Sequence, residues 1–206
     1  MDRNQNDDRL SRQMEFLLEC DKSKLIGRQN YLADGSRKEN DAEHAWHLAM
    51  MTFLLAEYAS ESIDVLKTVE MVLVHDLVEI DAGDTYAYDA QGNSTKRARE
   101  LAAAERLFGL LLDDQREKLR ALWDEFEAVS TPEARFAAAM DHIQPLMLNA
   151  ASHGKSWLEH GVAVSAILRR NEKTPKGSEA LWDYAKGQYL DPSVEAGYIV
   201  DDRAQG

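Results

Sequence analysis

Six histidines are present, and two of them sit in segments unusual for structural helices. One is His44, in Asp41-Ala42-Glu43-His44-Ala45-Trp46-His47; the other is His75, in Val72-Leu73-Val74-His75-Asp76-Leu77-Val78-Glu79-Ile80. The second run embeds a His-Asp pair among apolar residues, and burying such a pair is costly unless it is partnered or holds a metal. On a helix His75 and Glu79 stand at i and i+4, and Asp76 and Glu79 at i and i+3, so each pair shares a face. A later acid, Asp141, again sits within an apolar stretch, beside Phe136, Met140 and Ile143. Two imidazoles with two carboxylates suit a borderline or hard divalent ion such as Mn²⁺, Co²⁺, Mg²⁺, Zn²⁺ or Fe²⁺. A structural zinc site would bring cysteines, which this set lacks.

The elements that must position these groups read at the helical period. Leu10, Met14, Leu17, Leu18 and Leu25 form a stripe over about 8–25. Residues 27–40 are polar, contain Asp34-Gly35-Ser36 and read as a loop. Asp41 is placed to cap a helix through Trp46, Leu48, Met51, Leu54, Leu55 and Tyr58, and Ser62 to cap the next, running to about Ile80. Residues 81–93 form a loop. Helices follow from Asn93 or Ser94 to Phe108, over 116–129, and over 132–149 behind Thr131-Pro132, a cap followed by proline at the first helical position. Residues 153–159 read as irregular, and 162–170 and 178–189 as the last helices. No period-2 strand and no Asn-Gly hairpin turn stand out. The expected fold is all-α, a single domain over 1–206 with six to eight helices. Its site core spans about 24–150, helices within 160–190 pack on that core, and the tail after Tyr198 is frayed.

At the chemical residues the sequence resembles a family. His44, His75-Asp76 and Asp141, in that order, match the H…HD…D signature of the HD-domain metal-dependent phosphohydrolases. His75-Asp76-Leu77-Val78-Glu79 followed by Gly83-Asp84 resembles the HDxxE…GD pattern of the small branch that includes the 5′-deoxynucleotidases. The lead-in Ala42-Glu43-His44-Ala45-Trp46-His47 looks like that branch too. The resemblance covers roughly 24–149. It implies that His44, His75, Asp76 and Asp141 hold one divalent metal ion, that Glu79 activates the attacking water, and that Asp84 is a second acid beside the site. In that branch an arginine followed by an aromatic contacts phosphate and base; here the corresponding candidates are Arg28 and Tyr31, in Arg28-Gln29-Asn30-Tyr31. The implied activity is hydrolysis of small phosphomonoesters, with nucleoside or deoxynucleoside 5′-monophosphates favoured. The alternatives are another phosphate ester on the same metal core, such as an alarmone pyrophosphate or a phosphodiester, and a regulatory protein that binds metal or nucleotide without turnover. The small members of the family are commonly dimers, so a homodimer is expected. His47 and His142 read as structural, and His153 and His160 carry no argument.

Composition limits the other possibilities. Across 206 residues, 24 Lys and Arg face 37 Asp and Glu, a net charge of −13. Such a chain is a poor general binder of nucleic-acid backbones. Its single cysteine, Cys20, forms no internal disulfide and reads as a small buried hydrophobe. No stretch approaches the ~20 apolar residues of a membrane span. Residues 1–10 are too polar for a signal peptide. The expected partner is therefore a small phosphorylated molecule, with neither nucleic acid nor membrane, and the expected location is the cytoplasm.

Overall fold

The computed structural model describes residues 3–203, with the backbone alone at 3–6, 90, 91 and 93. In chain order its helices are α1 (Arg3–Cys20), α2 (Asp41–Leu55), α3 (Val65–Val74), α4 (Glu79–Ala82), α5 (Ala90–Phe108), α6 (Asp113–Ala128), α7 (Pro132–Ala151), α8 (Lys155–His160), α9 (Val164–Arg170), α10 (Thr174–Gly177), α11 (Glu179–Ala185) and α12 (Asp191–Glu195). The all-α expectation holds. The segments beyond the six to eight expected are short, between four and seven residues, and too brief for periodicity to reveal.

The centre of the fold is α7. Thr131 Oγ1 accepts from Ala134 N at 3.2 Å, and Pro132 occupies the first turn, so the helix starts where the sequence signals it. Ala134, Phe136, Ala137, Met140 and Ile143 are buried along its length. Leu48 and Met51 of α2, Met71 and Val72 of α3 and Leu122 of α6 close over them. A second apolar cluster joins Phe16 of α1 to Leu107 and Phe108 of α5 and to Trp123 of α6. Two caps differ from the sequence reading. Asn40, not Asp41, caps α2, and Asp64, not Ser62, caps α3 by accepting from Lys67 N at 3.1 Å. Helix α5 begins at Ala90, earlier than Asn93 or Ser94.

Three further departures shape the site. Residues 27–40 form an antiparallel hairpin, β1 (Gly27–Tyr31) and β2 (Lys38–Asn40), which pairs Gly27 with Asn40 and Tyr31 with Lys38. Asp34 Oδ1 accepts from Ser36 N at 2.9 Å and Gly35 takes φ +68°, so Asp-Gly supplies the turn without alternating apolar flanks to announce it. The stretch read as irregular at 153–159 contains α8. The tail is tied down through residue 202: Ile199 is buried, Val164 N donates to Val200 O, Val200 N to Val162 O, and Ser165 N to Asp202 Oδ1. The expectation of fraying from Tyr198 is corrected to that extent; residues 204–206 lie outside the described part.

Candidate active site

Asn40 and Glu43 form a reciprocal capping box on α2, Glu43 N donating to Asn40 Oδ1 at 3.0 Å and Asn40 N to Glu43 Oε2 at 3.1 Å. Because Asn40 supplies the cap, the Asp41 carboxylate is left for another contact. It is buried and accepts from Arg28 Nη1 at 3.3 Å. One turn on, His44 has no solvent exposure.

The α-helix stops just before the His-Asp pair. His75 N still donates four residues back, to Met71 O, whereas Leu77, Glu79 and Ile80 donate three residues back, at 3.1, 2.9 and 3.2 Å. In this tightened turn residues i and i+3 eclipse. Asp76 therefore lies over Glu79, and oxygens of Asp41, Asp76 and Glu79 gather within 4.8 Å of one another. The straight helical face expected for His75 and Glu79 is replaced by this turn. Gly83 then takes φ +75° and donates to Glu79 O at 2.7 Å, ending α4. Arg99 of α5 grips the following loop, bonding to Ala82 O and donating to Thr85 Oγ1 at 2.8 Å, and so fixes Asp84 between them.

The four H…HD…D side chains converge. His44 Nε2 lies 3.1 Å from Asp141 Oδ1 and 3.8 Å from Asp76 Oδ2. His75 Nε2 lies 3.0 Å from Asp76 Oδ2 and 3.9 Å from Asp141 Oδ1. His75 Nδ1 is 2.8 Å from Val72 O, an acceptor only, so Nδ1 carries a proton. That leaves Nε2 buried, facing carboxylates and without a hydrogen-bond partner. A ring nitrogen of fixed tautomer aimed at two carboxylates and a second imidazole is the arrangement a divalent ion requires, and the residues fit one.

Charge is concentrated here. Burial, together with Asp76, Asp84 and Asp41, pushes Glu79 up to about 11. Burial and the neighbouring Asp76 push Asp41 up to about 7. Burial also lifts Asp84, and it drives His44 down to about 4. Asp141 is desolvated as well, but its bond from His44 and the charge of Arg170 outweigh this and hold it well below the usual carboxylate range. Without a cation the cluster therefore retains a proton on Glu79 at neutral pH; a divalent ion held beside it would offset the repulsion that adds to burial in raising this group.

A cavity of about 130 Å³ opens beside this cluster, and Arg28, Asp76, Glu79, Asp84 and Asp141 line it. His44 and His75 are buried behind that wall, reaching it through Asp76 and Asp141. Tyr31 is not part of the lining. It bonds through its hydroxyl to Glu159 at the outer end of β1, with Lys155 Nζ 4.5 Å from its ring centre. Tyr31, expected to contact substrate, thus stands outside the cavity that Arg28 lines. The aromatic wall is instead Tyr86, Tyr88 and Trp157, with His160 stacked 4.4 Å from Tyr86. The sequence reading also missed Glu39, Asp41, Lys96 and Arg170. Glu39 is buried, 3.6 Å from Arg28 Nε, and accepts from Gln144 Nε2 at 2.9 Å. Lys96 Nζ lies 3.8 Å from Glu79. His142 lines the cavity, but its Nδ1 is taken up by Thr174 Oγ1 at 2.9 Å.

Comparison with known proteins agrees with this geometry. A family model described as HD domain matches residues 20–182. The crystal structure of a predicted metal-dependent phosphohydrolase from Magnetospirillum magnetotacticum MS-1 superimposes with a TM-score of 0.89 at 47% identity, covering 93% of this chain and 96% of that one. The 5′-deoxynucleotidase HDDC2 of Danio rerio is 29% identical over 109 residues, 53% of each chain. The human protein of that name is 28% identical over 135 residues, 65% of each. The chain thus spans between about half and two thirds of the length of these two relatives.

Proposed function

This chain belongs to the HD domain family, and we propose that it is a metal-dependent phosphohydrolase acting on small phosphomonoesters, nucleoside or deoxynucleoside 5′-monophosphates in particular. The observation that carries this reading is the convergence of His44, His75 and Asp141 within 4.8 Å of one another, with Asp76 beside them, at the wall of a cavity that also holds Glu79 and Asp84. His44, His75, Asp76 and Asp141 would hold a divalent ion, which would supply charge for the phosphoryl oxygens and acidity for water. Glu79 then takes the proton of the attacking water, and Asp84 orients that water from the neighbouring loop. Water attacks phosphorus in line, the P–O bond to the alcohol breaks with its electron pair going to oxygen, and that oxygen takes up a proton from solvent water and leaves as the free hydroxyl. Arg28 lends positive charge to the phosphoryl group from the strand side. The names of the relatives support the nucleotide class, as does an aromatic wall able to take a base.

We place the enzyme in the cytoplasm as a single domain and a homodimer. No described helix is long and apolar enough to cross a membrane. The outer face of α2 leaves Trp46 63% and Phe53 67% exposed beside Leu54, a surface suited to a second copy. Light scattering reads that state directly, and a monomer at micromolar concentration refutes it. The activity test is phosphate release from a panel of nucleoside 5′-monophosphates by metal-stripped protein refilled in turn with Mn²⁺, Co²⁺, Mg²⁺ and Zn²⁺. Release that requires metal and disappears in Asp76→Ala is expected; no release with any ion, from protein that binds the ion, overturns the reading.

A further inference from the structure

The positive groups at the cavity differ sharply in how much of their charge is already used. Arg28 meets three carboxylates: Nη1 is 2.7 Å from Asp76 and 3.3 Å from Asp41, and Nε is 3.6 Å from Glu39. Its side chain is only 11% exposed. Lys96 is likewise held, 3.3 Å from Glu100 and 3.8 Å from Glu79. Arg170 is the exception. Among the described residues its one carboxylate within ion-pair distance is Asp141, Nη2 to Oδ2 at a long 3.4 Å, and its side chain is 31% exposed. That oxygen is the one turned away from the imidazoles, which face Oδ1. Arg170 therefore stands at the edge of the ligand cluster with most of its donor fork uncommitted, and it lines the cavity that holds Glu79 and Asp84.

Its placement is built. Asn171 Nδ2 donates to Ile167 O at 3.0 Å, Thr174 Oγ1 donates to Asn171 Oδ1 at 3.1 Å, and His142 Nδ1 lies 2.9 Å from Thr174 Oγ1. Asn171 and Thr174 are buried. This chain of bonds ties the end of α9 to α7 at the residue following Asp141. It also accounts for His142, which anchors the helix end that presents Arg170. A guanidinium held in this way matches two oxygens of a phosphoryl group at once.

We propose that Arg170 is a phosphate-binding residue of this site, meeting the phosphoryl oxygens from the Asp141 side while Arg28 orders the carboxylates on the Asp76 side. The assignment deepens the phosphohydrolase reading and rests on it. It adds a second cation, outside the H…HD…D segments, whose donor fork is less committed than that of Arg28, which already meets three acids.

The test is titration of inorganic phosphate into metal-loaded protein by calorimetry, with metal affinity measured separately on each variant. Arg170→Gln is expected to weaken phosphate binding at least tenfold while metal affinity stays within threefold, and Arg170→Lys, which keeps charge but not the fork, is expected to fall between. Thr174→Val, which cuts the anchoring chain, is expected to weaken phosphate severalfold with metal retained. Unchanged phosphate affinity in Arg170→Gln overturns the proposal, as does parallel loss of metal and phosphate, which would make Arg170 a support of Asp141 only. Wild-type protein that binds phosphate through Arg170 but turns over no phosphomonoester sinks the hydrolase reading and leaves this assignment standing. Turnover with phosphate affinity indifferent to Arg170 does the reverse.

Discussion

His44 Nε2 and Asp141 Oδ1 lie 3.1 Å apart although 97 residues separate them, joining the buried face of α2 to the middle of α7. Both atoms belong to the four-residue cluster, so removing either partner takes away a proposed metal ligand and leaves the other buried without its counterpart. Asp141→Ala is expected to lose more metal affinity than the roughly 10–100-fold that follows loss of an outer hydrogen-bond partner. Calorimetric titration with Mn²⁺ on metal-stripped protein measures it. Wild-type affinity in Asp141→Ala would remove this residue from the ligand set.

Glu79 shares the cavity but is separated from the histidine cluster by the tightened turn after α3. Glu79→Gln keeps the shape and removes the proposed base. We expect phosphate release to fall by about 10²–10⁴-fold with metal binding retained. Steady-state kinetics with a nucleoside 5′-monophosphate, alongside metal titration of the same sample, separates the two effects. Full turnover in Glu79→Gln would end its role as proton acceptor.

Much of this was legible in the sequence because helical periodicity and an ordered set of buried polar residues both leave local marks. His44, His75, Asp76, Glu79 and Asp141 stand out as ionisable groups in apolar runs, and the structure brings them together. Asp41 and Arg170 leave no such mark. An acid in a first helical turn and an arginine in a last one are what the helix dipole alone would select, and only the tertiary fold turns them to the cavity. The place of Tyr31 is hidden for a related reason: it sits at the far end of β1 with its hydroxyl on Glu159, and the hairpin that puts it there carries no turn signal beyond Asp34-Gly35. The end of α3 at the His-Asp pair is hidden because Leu77 and Val78 continue the apolar pattern through a tighter turn.

The acid cluster makes the metal-free protein sensitive to rising pH. Glu39 and Asp41 are each pushed up to about 7, by burial in both cases, and Glu79 up to about 11. A carboxyl whose folded pKa lies above its unfolded value keeps its stabilising proton at low pH and loses that stability as pH rises through the folded pKa. His44 and His142, both driven down to about 4 by burial, act oppositely, but their contribution is complete above the ordinary histidine value near 6.5. Between pH 6.5 and 8 the raised carboxyls remain, joined by His75, which burial lowers but the charge of Asp76 raises further and which loses stability in the same direction, so stability of the metal-free protein falls, by up to about 1.4 kcal/mol per pH unit for each proton that differs. Thermal melts in chelator across that window are expected to show a falling Tm, and saturating Mn²⁺ is expected to flatten it. A Tm that rises from pH 6.5 to 8 without metal would contradict the protonated cluster.

Gly177 shows how closely α10 sits on α7. A Cβ at this position would stand 2.2 Å from Arg135 O and 2.9 Å from Ala139 Cβ, and backbone cannot yield as a flexible side chain does. Gly177→Ala must therefore push α10 away from α7, and with it Thr174, the middle of the bond chain from His142 to Asn171. Overpacking of this kind costs about 1–3 kcal/mol, or about 2–4 °C of Tm per kcal/mol in a chain of this size. The destabilisation is expected to come with a weaker grip on inorganic phosphate, because the end of α9 loses its anchor, while Mn²⁺ affinity is kept, because His44, His75, Asp76 and Asp141 lie on elements that α10 does not carry. Thermal melts with phosphate and metal titrations on the one variant check all three. A stable Gly177→Ala protein with wild-type phosphate affinity would show that α10 neither packs this tightly nor holds Arg170 in place.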